Sequence, residues 1–131
     1  MRNMAELTEA DIFSVIGESG FTRLVAAFYR RVPDDEILGS MYPADDLRDA
    51  EDRLRGFLIY RLGGPPTYIE ERGHPALRMR HAPYELTPTA RDHWLALMDQ
   101  ALQEVELPAE VEQVLRPFLA QTATFLVNRP A

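Results

Sequence analysis

The sequence predicts a single all-α domain, and three observations carry that prediction. Apolar residues recur at helical spacing in four long stretches, and no run alternates apolar and polar residues as a half-buried strand does. Clusters of glycine and proline fall at the junctions between those stretches. The 131 residues are enough to bury roughly two thirds of the unfolded surface around one core, and too few for two domains of ordinary size. The domain is expected to span 1–131, with 1–7 as a loose N-terminal extension.

The first element begins at Thr8, where Asp11 three residues on resembles a capping box, and Ile12, Phe13, Val15 and Ile16 follow as a short apolar helix. Gly17 and Gly20 are expected to end it. From Phe21 the apolar positions are Phe21, Leu24, Val25, Phe28, Tyr29 and Val32, an unbroken helical stripe and the clearest helix in the chain. Pro33 and Pro43 bound an irregular connection that carries Ile37, Leu38, Met41 and Tyr42. The next helix runs from about Asp46 to Leu62, with Leu47, Ala50, Leu54, Phe57, Leu58 and Arg61 on or near one face and Asp45 or Asp46 suited to cap it. Gly63, Gly64, Pro65 and Pro66 stop it. After His81 two long helices remain. Thr87 or Thr89 can cap the first, whose apolar face is Trp94, Leu97, Met98, Ala101, Leu102 and Val105. Pro108 separates it from the second, which carries Val111, Val114, Leu115, Phe118, Leu119, Thr122, Phe125 and Leu126. Pro117 inside that helix is expected to remove a hydrogen bond and kink it, at a cost of about 3 kcal/mol.

One stretch breaks the helical rhythm. Arg72 to Tyr84 reads RGHPALRMRHAPY, and Pro75 and Pro83 leave only about two turns of helix between them. Ala82 precedes a proline and is expected to leave the α region, so the helix should stop there with His81 in its last turn. Two readings of His81 are open on the residues alone: a ligand held at a rigid corner against an apolar wall, or a helix-terminal histidine that satisfies a backbone carbonyl. Among histidines so placed the second is the commoner.

Composition narrows the function classes. Hydrophobic residues at 46% and charged residues at 27% are ordinary for a soluble globular protein. With 14 basic and 21 acidic residues the net charge is −7, which disfavours nucleic acids and anionic membrane surfaces as partners. Cysteine is absent, which removes disulfides, thiolate metal sites and cysteine nucleophiles. No signal peptide and no run of about 18 apolar residues is recognisable, so a cytoplasmic monomer or homodimer is expected. Phosphate-binding glycine loops, the nucleophile-elbow motif and zinc-type histidine spacings are also missing from the sequence. Three polar aromatics remain on otherwise apolar stripes, Tyr29, Tyr42 and Trp94. Taken one at a time, each is more often a core ring than a functional donor.

Six segments taken together resemble a known family. FYRRV around Tyr29, MYPADDL around Tyr42, AEDRLRGFL from Ala50 to Leu58, GGP from Gly63, RGHPALRMRHAPY and RDHWLALM around Trp94 are similar, in order and spacing, to the group II truncated haemoglobins. The likeness covers roughly residues 20–128. It implies a truncated globin, a two-over-two helical sandwich around one haem b, with His81 as the proximal iron ligand. Tyr29, Tyr42 and Trp94 fall where the family lines its distal pocket with hydrogen-bond donors, beside Leu54 and with Ala50 where longer globins place a distal histidine. Phe28, Phe57, Leu58, Leu77 and Met79 are then expected against the macrocycle, and Arg53, Arg78 and Arg80 near its propionates.

The resemblance implies binding of O2, CO, NO or peroxide as small ligands. Reversible binding of O2 at an iron that can be five-coordinate is the first expectation. A peroxidase-like or nitric oxide-detoxifying haem protein fed by an unidentified reductase is the alternative. A helical interaction module that has lost haem is the remaining one. Retention of His81 together with three polar tips speaks against that last reading.

Overall fold

The computed structural model describes residues 7–82 and 84–130. Residues 1–6 of the expected N-terminal extension, and Pro83 at the expected corner, lie outside the described residues. Seven α-helices follow in chain order: α1 (Ile12–Arg31), α2 (Leu38–Met41), α3 (Leu47–Arg61), α4 (Thr67–Arg72), α5 (Leu77–His81), α6 (Pro88–Val105) and α7 (Ala109–Leu126). No strand occurs among the described residues. Helix α1 packs on α3 and across α6, and α6 packs on α7, so two helices lie over two others, the architecture that the resemblance implies.

Elements at the N-terminus start from local chemistry. The Asp11 carboxylate accepts from the Thr8 backbone N–H at 2.8 Å and from its hydroxyl at 3.0 Å, the expected capping box. Gly17 breaks the helical path with φ 65°, but Gly20 does not. A Cβ at Gly20 would sit 2.6 Å from the Ile16 Cβ, so this glycine marks a close approach inside the helix and not an end. The second glycine was therefore a misleading stop signal. Beyond it Phe21, Leu24, Val25, Phe28 and Val32 are completely buried. At about 1.5–3 kcal/mol for each fully buried large apolar side chain, this stripe is a main source of cohesion.

Helix α3 starts beside Asp46, yet that side chain makes no capping bond and instead accepts from Arg53 at 3.3 Å. The expected acidic cap is thus used as an ion-pair partner. Arg61, expected near the apolar face, is exposed and lays its guanidinium over the Phe118 ring. At the end of α3, Gly63 has φ 99° and a Cβ there would meet the Ala10 carbonyl oxygen at 2.0 Å. Only glycine lets the two ends of this layer come so close, and the Phe13 N–H to Leu62 carbonyl bond at 2.8 Å fastens them.

Thr87 caps α6, its hydroxyl accepting from the Ala90 N–H at 3.0 Å, and Glu106 ends the helix in the left-handed region with φ 52°. Helix α7 runs as one element through Pro117. Pro117 and Gln113, whose carbonyl loses its partner, are both exposed, so water can take that carbonyl. No described helix is long and apolar enough to cross a membrane.

Candidate functional site

A cavity of about 450 Å3 lies between the two layers, within the range of cofactor and small-molecule sites. Helix α3 contributes Ala50, Arg53, Leu54, Phe57 and Leu58, and α5 contributes Leu77, Arg80 and His81. Trp94 enters from α6 and Tyr29 from α1, while Tyr42 follows α2. Its wall is largely aliphatic and aromatic, with a few convergent polar groups.

His81 stands on one side. Its Nδ1 lies 2.7 Å from the Leu77 carbonyl oxygen, one turn back along α5. A carbonyl only accepts, so Nδ1 carries a proton, and in the neutral ring the free lone pair is then on Nε2. Both readings of this histidine meet here: it satisfies a backbone carbonyl, and in doing so leaves a ligating nitrogen. Helix α5 ends at His81 as expected, but by a different device. Ala82 keeps right-handed dihedrals, φ −56° and ψ −35°, and closes the helix with an N–H to Met79 carbonyl contact of 3.3 Å. At its start Ala76 adopts the left-handed region, φ 43°, so the short helix is entered through a sharp reversal.

Tyr29, Tyr42 and Trp94 gather on the opposite side. The Tyr29 and Tyr42 rings meet edge to face at 5.6 Å, and Phe28 wedges between Tyr29 and Trp94 with ring centroids 4.9 and 5.1 Å away. Burial pushes the Tyr29 hydroxyl far above its ordinary range, and hydrogen bonding to Tyr42 raises it further. Burial also pushes Tyr42 up, while its bonds with Tyr29 and Trp94 pull the other way. An indole N–H can only donate, so Tyr42 accepts from Trp94, while the Tyr29 and Tyr42 hydroxyls share one hydrogen bond that either can donate. One hydroxyl proton of the pair is left for something else. Behind this wall His93 Nδ1 lies 3.1 and 3.0 Å from the two Asp35 carboxylate oxygens, and Asp35 also accepts from the Ile37 and Leu38 N–H groups at 2.9 and 2.8 Å. That clamp ties α6 beside Trp94 to the turn that carries Tyr42.

The bacterial-like globin family model matches residues 11–128 of the chain. The chain belongs to the bacterial-like globins. Within that family its likeness is to the group II truncated haemoglobins. It is 39% identical over 117 residues to group 2 truncated hemoglobin YjbI of Bacillus subtilis, covering 89% of this chain and 88% of that protein. Among solved structures, a thermostable hemoglobin from the actinobacterium Thermobifida fusca shares 47% identity with a TM-score of 0.86, over 95% of this chain and 100% of that one. The group II truncated hemoglobin of Bacillus anthracis shares 37% with a TM-score of 0.87, over 95% and 94%.

Placement of the remaining expected residues in this globin is uneven. Phe28 is fully buried behind the cavity and does not line it. Met79 is 72% exposed and outside the cavity, not where a macrocycle contact requires it, and Arg78, expected near the propionates, lies over the Phe125 ring and does not line the cavity either. Met79 precedes His81 by two residues, which is about 200° around a helix, so the two cannot share a face. Arg53 and Arg80 do line it, joined by Arg91. Arg53 is paired with Asp46 and Asp49, which hold its guanidinium ionised despite partial burial. Arg80 donates to the Arg72 and His74 carbonyls at 2.9 and 3.1 Å.

Several lining residues were not anticipated. Phe118, Leu119, Thr122, Ala123 and Leu126 of α7 form much of one wall, with Tyr68 from α4. Their signal was present as a stripe that continues to Leu126 while burial falls off after Leu119. A stripe that stays apolar but loses its neighbours faces a space.

Proposed function

We propose that the chain binds one haem b in this cavity, with His81 as the proximal ligand, and that it binds O2 and related diatomic ligands on the Tyr42 side. The observation that carries the reading is the placement of His81: Nδ1 is committed to the Leu77 carbonyl at 2.7 Å, and the ring lines the cavity, so in the neutral tautomer Nε2 is the nitrogen left to ligate. The cavity fits the group in other respects. Leu54, Phe57, Leu58 and Leu77 offer apolar surface for a flat macrocycle, and Arg80 and Arg91 offer cations to its carboxylates. Haem, when bound, supplies an iron that takes up O2, CO or NO.

The protein's own residues do the rest. His81 holds its tautomer through Leu77. Tyr42 and Tyr29 have one hydroxyl proton left over from their shared bond, and it serves the ligand oxygen beside Trp94. Ala50 is small and leaves that side open to a ligand. A fixed donor favours an acceptor that gathers negative charge, so it strengthens the hold on O2 more than the hold on CO. The O2 reading also agrees with the character of one relative, a truncated oxygen-avid haemoglobin from Bacillus subtilis that is 39% identical.

The test is the visible absorption spectrum of the purified protein reconstituted with haem, ferric and dithionite-reduced, with and without CO. A Soret band that shifts on reduction and again with CO is expected. His81→Gly should lose or alter that band and regain it in part with added imidazole. An unchanged band and CO spectrum in His81→Gly would overturn the assignment.

A further inference from the structure

Asn128 lies two residues beyond α7 and directs its side-chain amide and its backbone N–H at one neighbouring segment. Its side-chain amide donates to the His81 carbonyl at 3.2 Å and to the Tyr84 carbonyl at 3.0 Å. The amide oxygen accepts from the Leu86 N–H at 3.0 Å, and the Asn128 backbone N–H donates back to the Leu86 carbonyl at 2.9 Å. Three of these partners belong to the strand of chain that leaves α5, and the fourth is the carbonyl of His81 itself.

The helix that bears His81 needs such an anchor. Five residues are far below the length at which a helix is stable alone, so α5 keeps its place only through tertiary contacts. Its main packing partner is α7, the helix that Asn128 follows. The His81 carbonyl sits at the helix end, where no i+4 N–H can reach it, and it receives the Tyr84 N–H at 3.0 Å and the Asn128 amide instead. An amide is suited to this position because it donates twice and accepts at once; a carboxylate only accepts and a hydroxyl has one proton.

We propose that Asn128 is a positioning residue of the proximal side: it fixes the His81 backbone from the C-terminal end of α7 and so sets the direction and strain of the His81 imidazole toward the iron. The inference rests on the reading of His81 as the iron ligand.

The experiment compares ferrous, ligand-free holoprotein of the wild type, Asn128→Asp, Asn128→Ala, His81→Gly and Thr87→Ala. The readouts are the iron–histidine stretching band in resonance Raman and the rate of haem transfer to an excess of an acceptor globin. Asn128→Asp keeps the acceptor for Leu86, loses the two donors and sets a carboxylate oxygen against the His81 and Tyr84 carbonyls, while Asn128→Ala removes the donors without adding charge. Both Asn128 variants should shift or broaden the band and speed haem transfer by roughly five- to thirtyfold, the factor that corresponds to losing one or two hydrogen bonds. Thr87→Ala removes a helix cap without touching His81, so it should lower the melting temperature and leave the band in place. A band at the wild-type position and width in Asn128→Asp overturns the proposal, and so does an equal shift in Thr87→Ala. If Asn128→Ala does not hold haem, Asn128→Asp alone decides. A wild-type band that survives in His81→Gly instead overturns the reading of His81, a distinguishable failure.

Discussion

Tyr42→Phe is the substitution that probes the ligand side most directly, because three polar groups converge on one oxygen atom. Tyr42 accepts from the Trp94 indole N–H and shares one hydrogen bond with Tyr29, so on the proposed reading one hydroxyl proton of the pair is left for the ligand. Loss of one hydrogen bond to a ligand costs about 0.5–1.5 kcal/mol, and up to about 3 kcal/mol where the acceptor carries charge. At 1.4 kcal/mol for each factor of ten, the O2 dissociation rate should rise roughly two- to hundredfold. CO gathers far less charge, so its dissociation should change little in the same variant. Tyr29→Phe and Trp94→Phe each remove one partner of the Tyr42 hydroxyl, and each should also speed O2 loss. Since both bonds end on one atom, the double variant should be non-additive. Stopped-flow O2 and CO dissociation on the three single variants and the double variant makes the measurement. If O2 and CO respond equally, the aromatics are packing groups and the donor argument is wrong.

Other expectations follow from the same geometry. Haem should raise the melting temperature strongly, since a ligand at a thousand times its Kd adds about 4 kcal/mol; equal melting of haem-free and haem-bound chains would count against a central cofactor. The Asp35 carboxyl is held below its ordinary value by the Leu38 N–H, His93 and the Ile37 N–H against the opposing effect of burial, so its contribution is present above the unfolded carboxylate range near pH 4 and is lost as pH falls through the lower folded value. Acid unfolding followed by circular dichroism should therefore lose part of its steepness in Asp35→Asn. Both buried phenols titrate above their ordinary range, so their contribution is intact below about pH 10 and lost as pH rises beyond it; Tyr29→Phe should flatten the alkaline limb of the stability curve. Gly63→Ala should destabilise by at least about 1–3 kcal/mol from its positive φ alone, with more from the Ala10 carbonyl in its way, as measured by urea unfolding.

Long-range order was legible in the sequence wherever one helix carried enough turns to show its period. The stripe from Phe21 to Val32, the span ending near Leu62 and the Thr87 cap all reappear, because each depends on residues within a few positions of one another. His81 was legible for the same reason: its Nδ1 partner is the carbonyl four residues back. Gly20 misled because glycine signals a break and a close approach alike, and only the neighbour at 2.6 Å distinguishes them. Helix α4 escaped notice because six residues show no period; Tyr68 holds it by packing on Phe57 and stacking on Tyr60. Asn128 was illegible in principle, since its partners lie 42 to 47 residues away and an asparagine after a helix suggests only a stop.

The two sides of the cavity are held by different physics, and that difference divides what substitutions can do. Tyr29 and Trp94 stand on helices of 20 and 18 residues, anchored by completely buried neighbours such as Phe28 and Ala101. A donor mounted this way cannot follow a ligand that moves, so changes there alter how long a ligand stays and leave cofactor retention nearly alone. His81 stands on a helix of five residues with no buried member, tied by hydrogen bonds to Leu77, Tyr84 and Asn128. Such bonds contribute about 1 kcal/mol each and are lost together when the segment opens, so on the proposed reading Asn128 and a cofactor held by His81 order this side jointly. Substitutions near α5 should therefore speed cofactor loss before they change ligand escape, the reverse of those near Tyr42.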